Sequence, residues 1–113
     1  TPEEKIARSQ AIQEATKYAI EIPFKVMELA LASFEVIKAM VEIGNPNSVT
    51  DAGVGGLCAR VAVHGAFMNV KINSGDVKDK AFVNEVLSKG EEMAKKADEL
   101  ETEIKKMVNE KIG

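Results

Sequence analysis

The chain has 113 residues, a hydrophobic fraction of 45% and a net charge of −3, with a pI near 5.2, which suits one globular domain or part of one and not a disordered chain. The acidic balance gives no basis for binding nucleic acid or an anionic membrane surface. No apolar run approaches the roughly 20 residues of a membrane helix, and the start Thr1-Pro2-Glu3-Glu4-Lys5 lacks the basic-then-apolar order of a signal peptide.

A chain without Met at position 1 implies a processed, trimmed or partial polypeptide. The single cysteine, Cys58, can form no internal disulfide and fits the cytoplasm. Charge is uneven along the sequence. Residues 1–43 carry seven acids and five bases, and residues 78–113 carry nine acids and eight bases. Between them, residues 44–77 hold only Asp51, Arg60, Lys71 and Asp76, with neutral His64. So little charge predicts a middle segment buried on most sides, with the flanking segments as amphipathic covers.

Thr1-Pro2-Glu3-Glu4 opens the first predicted helix: Thr at the N-cap, Pro at the first helical position and Glu three residues after the cap. The seam Ile12, Ala15, Ala19, Ile22, Val26, Leu29, Ser33, Val36, Met40, Ile43 alternates steps of three and four, the mark of one continuous helical face. Glutamate recurs at 14, 21, 28, 35 and 42, which predicts a solvated stripe along the whole length. Both registers pass through Pro23, so one long helix kinked there is expected. The kink frees the Ala19 carbonyl for a hydrogen-bonding neighbour. Beyond Pro23 the apolar face widens to Phe24, Met27, Leu31 and Phe34, which predicts packing on more than one side.

Gly44 stops this helix and Asn45-Pro46-Asn47 turns the chain. Ser48, with Asp51 three residues on, resembles a second cap. The next predicted helix runs to about Ile72. It carries a small-residue stripe, Ala52, Gly55, Ala59, Ala62, Ala66, Asn69, along which another helix can approach closely. Glycines at 53, 55, 56 and 65 cost roughly 1 kcal/mol each against alanine, so a close backbone contact must need them. Asn73-Ser74-Gly75-Asp76 ends this helix. A last helix starts near Asp79 or Lys80, with the seam Val86, Gly90, Met93, Ala97, Leu100, Ile104, Met107 and a Lys/Glu-rich outer face.

The predicted architecture is all-α: an up-and-down bundle of long helices with short polar turns. The middle helix is apolar or small on nearly every side, more than two neighbours can cover. Partner helices are therefore expected from another subunit or from another part of the same polypeptide, with a homodimer as the ordinary solution.

The candidate chemistry is sparse. One His and one Cys give no metal-ligand spacing. The glycines lie inside a helix with no Gly-Lys-Ser/Thr, so there is no phosphate loop. A Ser48–His64–Asp51 set is formally present, but at 1.5 Å per residue His64 lies about 20 Å along the helix from the cap. His64 reads as a hydrogen-bonded residue or as a proton carrier. Arg60, a lone guanidinium in an apolar helix, must find an anion: either an internal carboxylate such as Asp51 or a Glu from another helix, or a ligand. Cys58 reads as a small core residue. Asn45, Asn47, Ser48 and Asp51 form either a turn and cap or the lining of a ligand pocket.

Three stretches carry a resemblance. They are Ala11-Ile12-Gln13-Glu14-Ala15-Thr16-Lys17 followed by Ile22-Pro23, then Gly44-Asn45-Pro46-Asn47-Ser48-Val49-Thr50-Asp51-Ala52-Gly53-Val54, then Asn69-Val70-Lys71-Ile72-Asn73. Together they resemble the C-terminal portion of the formiminotetrahydrofolate cyclodeaminase domain, over Thr1 to about Phe82. The resemblance implies that residues 1–113 are the C-terminal part of a single all-helical, homodimeric enzyme domain of one-carbon metabolism, about half of which lies upstream. Family members convert 5-formiminotetrahydrofolate to 5,10-methenyltetrahydrofolate and ammonia, in histidine degradation; close relatives are methenyltetrahydrofolate cyclohydrolases. On this reading Asp51 is the catalytic candidate. Asn45, Asn47, Ser48 and Arg60 are substrate-binding candidates, tetrahydrofolate is the only small-molecule partner, and neither a metal nor a further cofactor is expected. The principal acid/base is expected outside this chain. A non-catalytic helical interaction module is the remaining alternative.

Overall fold

The computed structural model describes residues 1–113 as three long helices, α1 (Pro2–Ile43), α2 (Val49–Ser74) and α3 (Lys80–Ile112), with a single 3-10 turn (Pro46–Ser48) between the first two and no strands. The predicted capping box forms: the Thr1 side chain accepts from the Glu4 N–H, and the Glu4 side chain reaches back to the Thr1 backbone. Asp79 starts α3, accepting from the Phe82 N–H at 3.1 Å and from Lys17 Nζ at 2.8 Å.

Contacts fix an up-down-up order. Residues 19 and 73 meet across α1–α2, as do 37 and 55; residues 53 and 108, 56 and 104, and 67 and 90 meet across α2–α3. Each successive pair is therefore antiparallel. α3 runs parallel to α1, tied to it by Lys17–Asp79, Lys38–Glu103 and the Lys111 Nζ hydrogen bond to the Glu42 carbonyl.

The core seam of α1 is Ile20, Met27, Phe34 and Val41, each seven residues from the last and essentially sealed from solvent. It packs with Val63, Phe67 and Val70 of α2 and Ala94, Ala97, Ile104 and Val108 of α3. The continuous seam read from the sequence along the first helix points outward. Ile12, Ile22, Val26, Leu29, Val36, Met40 and Ile43 are all exposed, Leu29 to 63%. α1 thus carries two apolar seams. This chain covers the one through Ile20, Met27, Phe34 and Val41. The glutamate stripe is solvated as expected.

α1 runs as one helix through Pro23, and the kink expected there is not supported. Proline offers no N–H to the Ala19 carbonyl, and Asn73 Nδ2 donates to that oxygen at 3.1 Å. The glycines divide by environment. A Cβ at Gly53 would sit 3.2 Å from Val108 Cγ2, and one at Gly56 would sit 3.0 Å from Ile104 Cγ2, so these two notches receive α3. Gly55 faces Ile37 more loosely, and Gly65 has nothing within 4 Å.

Gly65 lies on the second exposed seam of the molecule. Val54, Leu57, Val61, Met68 and Ile72 of α2 are exposed, Ile72 to 75%. Cys58 is exposed among them rather than in the core, because its face of α2 points away from both neighbours. Ile22, Pro23 and Val26 share one open groove with Ala62, Gly65 and Asn69, so the outward seams of α1 and α2 lie on a common side. α3 covers the other side of this hairpin and turns a charged face to solvent. The radius of gyration, 18.7 Å, exceeds the roughly 13 Å of a compact chain of this length. The shape is an elongated slab with one apolar side uncovered.

Candidate functional site

The sequence cluster at the α1–α2 turn comes together in space, in part. Asn45, Ser48 and Asp51 line a cavity of about 300 Å³ with Met40, Gly44 and Ala52. Two packed residues frame the turn, Val41 before it and Val49 after it, both buried. Gly44 caps α1, its N–H reaching the Met40 carbonyl at 3.0 Å. The Ser48 N–H donates to the Asn45 carbonyl at 2.9 Å, closing the 3-10 turn, and Asn45 Oδ1 caps it by accepting from the Asn47 N–H at 3.0 Å, which leaves the Asn45 amide nitrogen free. Asn47 itself does not line the cavity.

The cap expected at Ser48 does not form. Ser48 holds the N-cap position of α2, but its hydroxyl makes no capping bond. Its backbone lies at φ −110 and ψ 15, continuing out of the 3-10 turn instead of in the extended region that aims a capping side chain at the first N–H groups. A free hydroxyl and the partnerless, exposed carboxylate of Asp51 thus line one cavity at a helix start. Met40, on the cavity wall, also belongs to the outward seam of α1. The polar cluster therefore sits at one end of the uncovered apolar side.

Arg60 lies elsewhere, nine residues and about 13 Å along α2 from Asp51. Its Nε donates to Asp98 Oδ1 at 2.6 Å and lies 3.4 Å from Glu101 Oε2. His64 Nε2 meets the same Asp98 oxygen at 2.7 Å. Glu101 is buried and also pairs with Lys105 at 2.9 Å. The Arg60 and His64 hydrogen bonds hold the Asp98 carboxyl below the usual aspartate range. The internal acid that Arg60 requires is thus on α3, not Asp51. No motif in the sequence singles out Asp98. The short turn 75–79 forces antiparallel packing, and that signal places an α3 acid opposite the one charged stretch of α2.

No three His, Cys, Asp or Glu side chains gather where they would hold a metal ion. No helix is long and apolar enough to cross a membrane.

Fold and site together define an all-helical domain with one uncovered apolar side that ends in an amide, hydroxyl and carboxylate cluster at a helix start. The chain belongs to the formiminotransferase-cyclodeaminase family, whose model matches residues 1–92. It is 34% identical to a methenyltetrahydrofolate cyclohydrolase of Methylorubrum extorquens over 113 residues, all of this chain and 54% of that protein. It is 32% identical to the formimidoyltransferase-cyclodeaminase of Rattus norvegicus over 82 residues, 73% of this chain and 15% of that protein. The Dictyostelium discoideum formimidoyltransferase-cyclodeaminase matches at 35% over 92 residues, 81% of this chain and 17% of that protein. The chain thus spans about half the length of the first relative and a smaller share of the others.

Proposed function

We propose that this chain is the C-terminal part of a single cyclodeaminase-like domain, and that the complete polypeptide converts 5-formiminotetrahydrofolate to 5,10-methenyltetrahydrofolate with release of ammonia. A folate ring nitrogen attacks the formimino carbon, the amino nitrogen takes up a proton, and ammonia departs as the methenyl bridge closes. A positioned proton carrier and groups that hold the pterin are the tools this step needs. The observation that carries the reading is the meeting of Asn45, Ser48 and Asp51 around one cavity. Asp51 has no internal partner, so its carboxylate is free to orient the folate or shuttle a proton, and its charge favours the cationic methenyl product. Asn45 and Ser48 supply an amide and a hydroxyl for the pterin's donor and acceptor edge, while Asn47, which does not line the cavity, holds the turn through its N–H to Asn45 Oδ1. Arg60 is left out of this assignment, because Asp98 and Glu101 engage its guanidinium. Tetrahydrofolate is the sole small-molecule partner in this scheme, and the lone thiol of Cys58 suits the reducing cytoplasm.

The uncovered side is assigned to a covering body, either a second copy in a homodimer or the other half of the domain. The principal acid/base comes from that body. A second reading, hydrolysis of the methenyl bridge with water as nucleophile, is favoured by the similarity to a methenyltetrahydrofolate cyclohydrolase along the whole chain.

The test assays both substrates on one preparation of the full-length protein. Ammonia release with a rise in methenyl absorbance supports the first reading; loss of methenyl absorbance in water supports the second. Asp51→Asn is expected to lower the favoured rate at least about 100-fold, the scale of a lost proton-transfer group. An unchanged rate removes Asp51 from the mechanism. No saturable binding of tetrahydrofolate would favour a non-catalytic helical module.

A further inference from the structure

The family model ends at residue 92, two turns before Asp98. Yet the rest of α3 reaches back to both sides of the α1–α2 turn. Lys111 Nζ donates to the Glu42 carbonyl at 3.2 Å, in the last turn of α1. Val108 is buried and fills the notch at Gly53, two residues beyond Asp51. Ile104, also buried, fills the notch at Gly56 one turn further along α2. These contacts hold the end of α1 and the start of α2 against one external ruler.

The ruler matters because the turn holds itself weakly. Its internal bonds are the Gly44, Asn47 and Ser48 N–H groups bonded to Met40 O, Asn45 Oδ1 and Asn45 O. Residues 45–48 are all exposed, and the Ser48 side chain ties nothing down. A turn with few buried contacts sits at the low-stability end of a fold unless neighbours fix its two ends. Lys111 also places a cation beside the carbonyls that close α1, where the helix dipole is negative.

We infer that Ile104, Val108 and Lys111, the last turns of α3, are positioning residues that set the separation and orientation of the Asn45–Asp51 pocket. Gly53 and Gly56 are then glycines so that α3 can approach at that point. Their role is to seat the ruler rather than to admit a helix from outside. The inference rests on the folate reading only for what the pocket binds, not for the pocket's geometry.

The experiment uses the full-length protein with Val108→Ala, Lys111→Met and the conservative Lys111→Arg. Amide hydrogen exchange is read for residues 44–52, with residues 62–70 of the same helix as the internal reference, and binding is read by titration with tetrahydrofolate. Val108→Ala and Lys111→Met are expected to speed exchange at 44–52 about fivefold, the effect of a local rather than global loosening, while 62–70 stay unchanged. Lys111→Arg is expected to restore the wild-type rate. Folate affinity should weaken in the two loosening variants and recover with Lys111→Arg. Lys111 is exposed, so its replacement does not threaten folding. Equal acceleration in both segments, or none at 44–52, overturns the inference. If the wild type binds no folate, the functional reading fails by itself, and the exchange data still decide the positioning role.

Discussion

Asp98 concentrates the electrostatics of the molecule in one oxygen, which accepts from both Arg60 and His64. Those hydrogen bonds lower its carboxyl from the ordinary value of 3.8. A lowered carboxyl in the folded state means that the unfolded chain binds the proton more tightly. Its stabilisation is therefore complete above the ordinary aspartate value and is lost as pH falls through the lower folded value. Asp79, held by Lys17 and by the Phe82 N–H, and Glu103, held by Lys38, act in the same direction. The protein is accordingly expected to lose stability on acidification below about pH 4. In Asp98→Asn the fall should be shallower. The gap between wild type and variant in urea midpoint should be widest near pH 6 and shrink toward pH 2. Parallel curves would show that the bridge contributes nothing through its charge. Partial exposure of both partners keeps the whole effect small.

At the level of elements, sequence and structure part company over faces more than over helices. The helices, their turns, the N-terminal capping box and the start of α3 were legible because capping residues, glycine, proline and a steady three-four spacing are local signals. Which apolar seam of α1 this chain covers was not legible. Two seams of equal regularity run along that helix, and periodicity reports that a face is apolar without saying what lies against it. The same holds for Cys58, placed in the core by type and exposed by its position on α2. The pocket was half legible. The Asn45-to-Asp51 run placed Asn45, Ser48 and Asp51 at one cavity without Asn47, whereas Met40 on its wall was not read from the sequence. Pro23 was legible in part: the expected kink is not supported, but the freed Ala19 carbonyl found its donor in Asn73, 54 positions away. Asn73→Ala is expected to cost about 0.5–1 kcal/mol, the range for a single partly solvated hydrogen bond. Restoring the backbone donor with Pro23→Ala should make the same Asn73→Ala change nearly silent. A double-mutant cycle read by urea unfolding tests this. An Asn73→Ala cost that is the same in the wild-type and Pro23→Ala backgrounds would mean that the side chain acts through some other contact.

On the scale of the whole molecule, the uncovered side of the α1–α2 hairpin is the dominant feature. α3 hides one side of that hairpin behind a charged outer face, but Leu29, Val36, Val61, Met68 and Ile72 remain open to water. Exposed apolar side chains gathered on one side are what an interaction surface presents, and a covering body is proposed for this side. Gly65 shares the open groove with Ile22 and Val26, and the chain spans 54% of the first relative, so the rest of such a polypeptide is available as a cover. Val61→Glu discriminates. Val61 is exposed to 66%, so if that side met solvent the substitution would fall within about 0.5 kcal/mol of neutral. Against a covering helix it buries an unpaired carboxylate, a penalty of about 3 kcal/mol or more. Lys106→Glu, on the exposed outer face of α3, serves as the control that places the same carboxylate in water. In the full-length protein Val61→Glu is expected to lower the thermal midpoint sharply and to reduce the sedimenting mass if the cover is a second copy. The midpoint alone should fall if the cover is the other half of the same polypeptide. Lys106→Glu should leave both unchanged. Should Val61→Glu behave like its control, the side is open in the working protein, and the covering body proposed for it does not exist.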